Sequence, residues 1–144
     1  MQQEDYVSFE VAKLLKEKSA FLVSDHHYFS EDINIGDSGI FIPKGNLTQM
    51  FKISTEFDHI KIYAPTLYDV QKWLRNEHDL HVSVGVVDDC SYDADGKVCE
   101  EWTAWTFSVY YITNLEHPMI DCLGNYDTYE EALNEGLREA LKLI

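Results

Sequence analysis

Carboxylates are concentrated in one short stretch of the chain, between residues 81 and 101. Six acids there are accompanied by one base, Lys97; the acids are Asp88, Asp89, Asp93, Asp95, Glu100 and Glu101. If Gly96 is aligned with the glycine of an EF-hand calcium loop, Asp93 and Asp95 take ligand positions, but Trp102 stands where a bidentate Glu is required. The calcium motif therefore fails. We interpret the run as a solvated hairpin tip and as the candidate partner-binding surface.

Histidine is the second residue type that could do chemistry. His78 and His81 have an HxxH spacing. A zinc site needs three or four convergent ligands, and this pair falls across a predicted helix end and strand start, so the rings do not share a helical face. We interpret the histidines as surface residues and expect no metal and no cofactor. The alternative is a small metal-dependent enzyme that uses His78, His81 and nearby carboxylates.

The three cysteines, Cys90, Cys99 and Cys122, are an odd number without a CxxC spacing. That pattern fits a reducing compartment, although a Cys90–Cys99 bridge across a hairpin is an alternative. Neither Cys99 nor Cys122 stands in a basic setting that would stabilise a thiolate. The chain also lacks GxSxG, GxGxxG, HExxH and a Walker loop. Together these observations disfavour an enzyme.

The net charge of the chain argues against nucleic acid as a partner. With 11 Lys and Arg against 26 Asp and Glu, the formal charge is −15. Non-specific affinity for phosphate backbones comes from clustered positive charge, so a generic nucleic-acid binder is excluded. The apolar runs are shorter than the ~18 residues that span a bilayer, and MQQEDYVSFE is unlike a signal peptide. We expect a cytoplasmic protein that binds neither nucleic acid directly nor a membrane.

The elements that must position these residues are harder to place in the first half of the chain. Ser8 can cap a helix that runs to about Lys18 with an apolar face of Val11, Leu14 and Leu15. Residues 21–46 carry little pattern, and only 39–42 look like a strand. A further strand is predicted at 59–63, before Pro65.

The second half is more regular. Thr66 starts a predicted helix of about three turns, and the alternation of residues 80–86 predicts a strand with one buried face. Asp95-Gly96 predicts a hairpin with a type I′ turn, which needs positive φ at both residues. The returning strand, 104–112, is long enough to be central in the sheet. A short strand follows at 119–123, closed by Gly124-Asn125.

The last predicted element is a helix that begins with a capping box. Thr128 should cover an amide of the first turn while Glu131 reaches back to the amide of the cap residue. Apolar residues at helical spacing follow, and Arg138 and Lys142 suit the C-terminal end of the helix dipole.

These elements predict an α+β fold, a two-layer sandwich in which an antiparallel sheet of three or more strands packs against two helices. We expect one domain, 1–144, made of an N-terminal helix with an irregular or strand region (1–64) and a helix–three strands–helix core (65–144). A homodimer is also suggested, because several apolar residues lie in weakly patterned sequence that one chain need not cover. These are Phe29, Ile40, Phe41, Leu47, Met50 and Phe51.

Two segments carry a resemblance. Ala64-Pro65-Thr66 leading into VQKWLR (70–75), with the terminal YDTYEEALNEGLREALKLI (126–144), resembles a group of short proteins of gut bacteria and their phages or mobile elements. The resemblance implies a phage or mobile-element context and no catalytic residues. The end of the chain is also similar to the small HicB-type antitoxin domains, which bind a toxin partner. Residues 6–15 are similar to the first helix of excisionase and MerR-type domains, but no basic recognition helix follows.

From the residues we expect a non-enzymatic protein-binding or accessory module that engages a basic protein partner through its acidic surface. One alternative is a nucleic-acid mimic that inhibits a host protein. The other is the metal-dependent enzyme described above.

Overall fold

A computed structural model describes residues 2–49 and 55–144 of the chain. The protein belongs to the α+β class, with helices and antiparallel sheets, as the sequence predicts. Its contacts divide into two compact units, Met1–Val70 and Gln71–Ile144.

The first unit holds one helix and two small sheets. Helix α1 (Phe9–Glu17) begins at Ser8, whose hydroxyl accepts the Val11 amide at 3.3 Å, as expected. Strands β1 (His26–Phe29), β2 (Ile33–Ile35), β3 (Ile40–Ile42), β4 (Thr48–Gln49) and β5 (Lys61–Tyr63) follow. β1 is the centre of an antiparallel sheet ordered β4-β1-β5, and β2 and β3 form a separate hairpin. The strands β1 and β2 lie in the stretch where sequence pattern predicts none.

Two apolar groups form the interior of this unit. α1 buries Val11, Ala12 and Leu15, whereas Leu14, expected on the same face, is half-buried. Phe29 joins Ile33, Ile42 and Ile60 in a buried cluster against which Ile40 packs. Of the residues that suggested a dimer interface, Phe29 is therefore covered within its own chain.

The remaining residues of that set include one exposed, one half-buried and two that lie outside the described residues. Phe41 is 59% exposed and Leu47 is half-buried, while Met50 and Phe51 lie outside the described residues. The predicted strand 59–63 is only partly confirmed, because Thr55–Ile60 is a 3₁₀ helix and pairing with β1 starts at Lys61.

Helix α2 (Leu67–His78) begins in the first unit and ends in the second. The second unit then forms a three-stranded antiparallel sheet ordered β6-β7-β8, with β7 central as predicted. The strands are β6 (Leu80–Tyr92), β7 (Val98–Tyr111) and β8 (Ile120–Tyr126). β6 is an edge strand, and the Gln71 side chain donates a hydrogen bond to its Val82 carbonyl at 2.8 Å. That contact satisfies one open group of the edge.

Helix α3 (Tyr129–Leu141) packs on all three strands and buries the predicted apolar stripe. Thr128 accepts the Glu131 amide at 3.1 Å, as a cap should. The Glu131 carboxylate accepts the amide of Asp127, one residue before the cap, rather than that of the cap itself. Gly136 lets the helix approach the sheet, because a Cβ there would lie 2.5 Å from Val82 Cγ1.

Two sequence predictions about turns are wrong. Of the two residues in Asp95-Gly96, only Gly96 has a positive φ, 78°, so the turn is not type I′. Gly124 and Asn125 do not close the last strand; they lie inside β8, where its pairing with β7 is irregular between Trp105 and Phe107. A Cβ on Gly124 would lie 2.7 Å from the Trp105 carbonyl carbon, so this backbone approach requires glycine.

Candidate functional site

The distal halves of β6 and β7 form a two-stranded ribbon, residues 86–104 including the turn. β8 pairs with β7 only between Trp105 and Val109, so the ribbon continues beyond the third strand. Its register runs from Val86 opposite Trp105 and Val87 opposite Ala104 to Ser91 opposite Glu100. All six acids of the predicted partner-binding surface belong to this ribbon.

The ribbon ends in a turn that one acid stabilises. Asp93 donates its amide to the Lys97 carbonyl at 2.8 Å, and its Oδ1 accepts the amides of Asp95 and Lys97, each at 2.9 Å. Gly96 donates its amide to the Asp93 carbonyl. This is a three-residue loop, 94–96, whose last residue is a left-handed glycine. Asp93 therefore holds the tip together, in addition to carrying charge.

The other acids flank the paired strands. Asp88 lies opposite Thr103, whose hydroxyl donates to Asp88 Oδ1 at 3.2 Å, and Glu101 lies opposite Cys90. Glu100 lies opposite Ser91. Asp89 pairs with Trp102 in the backbone register, and its side chain is not among those described. Asp88, Glu100, Glu101 and the tip residues are exposed to solvent.

Large apolar side chains are exposed among these acids. The exposed fraction is 54% for Val86, 64% for Tyr92, 48% for Val98 and 44% for Trp102. Sequence alternation marks Trp105 and Phe107 but not Trp102, because the predicted returning strand begins only at 104. Apolar and polar residues do not alternate before Ala104, so no periodicity marks the part of β7 that extends back to Val98.

A shallow pocket of about 360 Å³ lies on the ribbon and is lined by Asp88, Cys90, Glu101, Trp102 and Thr103. The Asp88 and Glu101 carboxylates share one face of the ribbon and are suited to a cationic side chain, which can pair with both. Trp102 follows Glu101 along β7, so its side chain lies on the opposite face. The pocket is open, so charge screening by salt acts on any ion that binds there.

The histidines and cysteines do not form a comparable group, and the interpretation of the histidines as surface residues is wrong for His27, which is 1% exposed. His78 ends α2 and contacts the Trp73 ring edge at 4.7 Å between centroids, and burial followed by the Arg75 charge lowers the pKa of His81. Among the described residues no three His, Cys, Asp or Glu side chains converge as a metal site would require. Cys90, Cys99 and Cys122 are not joined by a disulfide, so the alternative Cys90–Cys99 bridge is not formed.

No described helix has the length and apolar composition needed to cross a membrane. Comparison of the chain with protein-family models, curated proteins and solved structures finds no match.

Proposed function

We propose that this protein is a binding module whose ribbon docks on a basic segment of a partner protein. The observation that carries the proposal is the pocket that has the Asp88 and Glu101 side chains on one face of the ribbon, with the exposed Trp102 side chain on the other face. Tryptophan is enriched among the residues that dominate binding energy at interfaces, and arginine pairs with both carboxylates and indoles. An arginine or lysine of the partner is the side chain that this pocket fits.

The rest of the ribbon supports a protein partner over a small cation. Val86, Tyr92 and Val98 extend the exposed apolar surface along both strands. Contiguous exposed apolar patches mark interaction surfaces, and a surrounding rim of like charge selects partners of the opposite charge. Six carboxylates and one lysine in this segment therefore favour a basic, partly apolar protein surface.

The test uses a peptide of alternating arginine and leucine as the probe, with a glutamate–leucine peptide as its counterpart. The basic peptide should quench or shift Trp102 fluorescence and bind more weakly as salt is raised, because the pocket is open to solvent. Trp102→Ser should weaken binding by about tenfold or more, as expected for an aromatic anchor. Asp88→Asn with Glu101→Gln should remove most of the salt dependence.

The matched controls lie outside the ribbon. Tyr68→Ser removes an aromatic ring that is 60% exposed on α2, and Glu77→Gln removes an exposed acid of the same helix. Neither should change the affinity for the basic peptide by more than about twofold, which is within the scatter of surface substitutions. If the controls weaken binding as much as the ribbon variants do, the ribbon is not the docking element.

A further inference from the structure

A second surface of the chain has the opposite character to the ribbon and lies within the first unit. A groove of about 330 Å³ runs between α1, the segment 19–23 and strand β5. Its floor is apolar, with Leu15, Ala20, Leu22 and Pro65 among the lining residues. Phe21 and Val23 at the same groove are 92% and 76% exposed, which is unusual for side chains of this kind in a protein with a buried core.

One wall of this groove is the edge of a β-sheet. The sheet order β4-β1-β5 leaves β5 with a strand partner on one side only. The Ser30 amide donates a hydrogen bond to the Ile60 carbonyl at 2.9 Å, and the Ala64 amide donates one to the His26 carbonyl at 3.0 Å. Hydrogen-bonded pairs alternate along an antiparallel ladder, so the backbone groups of Lys61 and Tyr63 are directed away from β1.

A lysine side chain occupies one of these open groups. Lys16 Nζ donates to the Lys61 carbonyl at 3.3 Å, across the groove from α1 to β5. This is a long bond to an exposed ammonium, which another donor can replace. An edge strand with outward amides and carbonyls is the template on which an extended peptide adds as a further strand.

The charges at the groove indicate which peptide would fit. Lys16 and Lys61 both line it, and the Lys61 ammonium lies 4.8 Å from the centroid of the Tyr63 ring. Among the described residues, neither lysine has a carboxylate within salt-bridge distance, although Asp58 also lines the groove. In a chain of charge −15, two such lysines beside an apolar floor are complementary to an acidic segment.

We propose that the groove between α1 and β5 binds an extended acidic and apolar peptide of a partner protein, which adds to Lys61–Tyr63 as a fourth strand. Alternate side chains of the peptide would enter the apolar floor, and those between them would carry carboxylates to Lys16 and Lys61. This binding is separate from that of the ribbon, because the two surfaces select peptides of opposite charge.

The experiment titrates the full chain with an acetylated and amidated peptide of seven alternating valine and glutamate residues. Binding is followed by amide NMR shifts and by hydrogen exchange. The valine–glutamate peptide should perturb the amides of Lys61 and Tyr63 and slow their exchange, because these groups become hydrogen-bonded. Lys16→Gln with Lys61→Gln should weaken binding by about tenfold at low salt, and Lys44→Gln, an exposed lysine away from the groove, should not.

Three further probes separate the proposal from other occupants. A valine–lysine peptide should not bind. The valine–glutamate peptide with N-methyl groups on alternate amides should lose binding, because it keeps its side chains but cannot pair with β5. Dodecanoate tests whether the groove takes any anionic amphiphile.

The proposal is overturned if the N-methylated peptide binds as well as its parent, or if dodecanoate fills the groove while the peptide does not. It is also overturned if the valine–glutamate peptide leaves the Lys61 and Tyr63 amides unchanged. If the Lys61 and Tyr63 amides of the free protein become more protected from hydrogen exchange as the protein concentration rises, the groove binds a second copy of the chain instead.

Discussion

At the scale of single residues, His27 is the buried polar side chain with the least compensation. It is 1% exposed in the centre of the β4-β1-β5 sheet, and its ring meets that of Phe29 edge-on at 4.8 Å between centroids. Neither ring nitrogen has a hydrogen-bond partner among the described residues. Burial, with smaller contributions from Lys61 and His26, lowers the pKa of His27 to about 4. The folded protein therefore holds this imidazole neutral.

The low pKa of His27 predicts how stability depends on pH. The unfolded chain takes up a proton near pH 6.5 and the folded chain only near 4, so the free energy of unfolding should fall as the pH falls between these values. One proton accounts for a slope of about 1.4 kcal/mol per pH unit at most. His27→Leu should remove this slope. Urea unfolding at pH 5.0, 6.0 and 7.0 measures the difference between variant and wild type.

Unfolding of the wild type and of His27→Leu above neutral pH is the control. His27 is neutral in both states there, so the difference in unfolding free energy between wild type and His27→Leu should be constant from pH 7 to 8. A difference that does not change between pH 5 and 7 would show that His27 is hydrated or protonated in the folded chain.

Gly124 gives a second prediction at the residue scale. Its Cα faces the Trp105 backbone, which a Cβ would overlap, and a backbone carbonyl in a paired strand cannot swing away. Gly124→Ala should lower the free energy of unfolding by about 1–3 kcal/mol, as overpacking does. Gly85→Ala is the control, because its Cβ would meet only Thr106 Cγ2 at an ordinary 3.5 Å. Equal effects of the two substitutions in urea unfolding would contradict the irregular pairing of β7 with β8.

At the scale of elements, α3 owes its N-terminus to two side chains that the sequence identifies. Thr128 Oγ1 accepts the Glu131 amide, and the Glu131 carboxylate accepts the Asp127 amide at 3.2 Å. Thr128→Ala should cost about 1 kcal/mol of stability, since an orphan amide of the first turn loses its acceptor. Thr128→Ser keeps the acceptor and should restore most of the loss. Thermal or urea unfolding of the two variants tests this, and an equal loss in both would show that the hydroxyl is not the cap.

The ribbon lacks the support that α3 and β8 give to the rest of its sheet. Ser83 lies opposite Ser108 of β7, in the part of the sheet that α3 and β8 support. Ser91 lies opposite Glu100, in the ribbon beyond that support. A two-stranded ribbon without a third layer is marginally stable. The Ser91 amide should therefore exchange with solvent about a hundredfold faster than the Ser83 amide. Comparable protection of the two serines would mean that the ribbon is as rigid as the core.

The elements that could be predicted from sequence are those whose pattern and local chemistry agree. α3 combines a capping box with an apolar stripe, and the alternation of residues 80–86 marks β6, so both are confirmed. β1 could not be predicted, because His26–Phe29 is covered on nearly every side and its four residues show no alternation. The acidic character of the ribbon can be predicted from sequence, but the grouping of Asp88 with Glu101 cannot. It depends on a register that brings these two residues, 13 positions apart, to the same face of the ribbon.

At the scale of the whole molecule, charge is distributed unevenly along the chain. Three of the 11 basic residues, Lys13, Lys16 and Lys61, belong to α1 and β5, and Lys18 caps the C-terminus of α1. The ribbon holds six acids and one lysine. The two proposed surfaces therefore select partners of opposite charge. α3 adds local pairs that partly offset the acidity, with Arg138 at 2.9 Å from Glu135 and Lys142 at 2.8 Å from Glu139.

The total charge of −15 predicts that the stability of the folded protein depends on salt concentration. Repulsion among excess carboxylates is greater in the folded chain than in the expanded unfolded chain, so screening should favour folding. Raising NaCl from 10 to 150 mM shortens the Debye length from about 30 to 8 Å, which should raise Tm by about 3 °C. Glu100→Gln with Glu101→Gln should raise Tm at low salt and show a smaller response to added salt. A Tm that falls with salt would mean that attractive pairs such as those of α3 outweigh the repulsion. The ribbon acids would then not destabilise the folded protein in the absence of a basic partner.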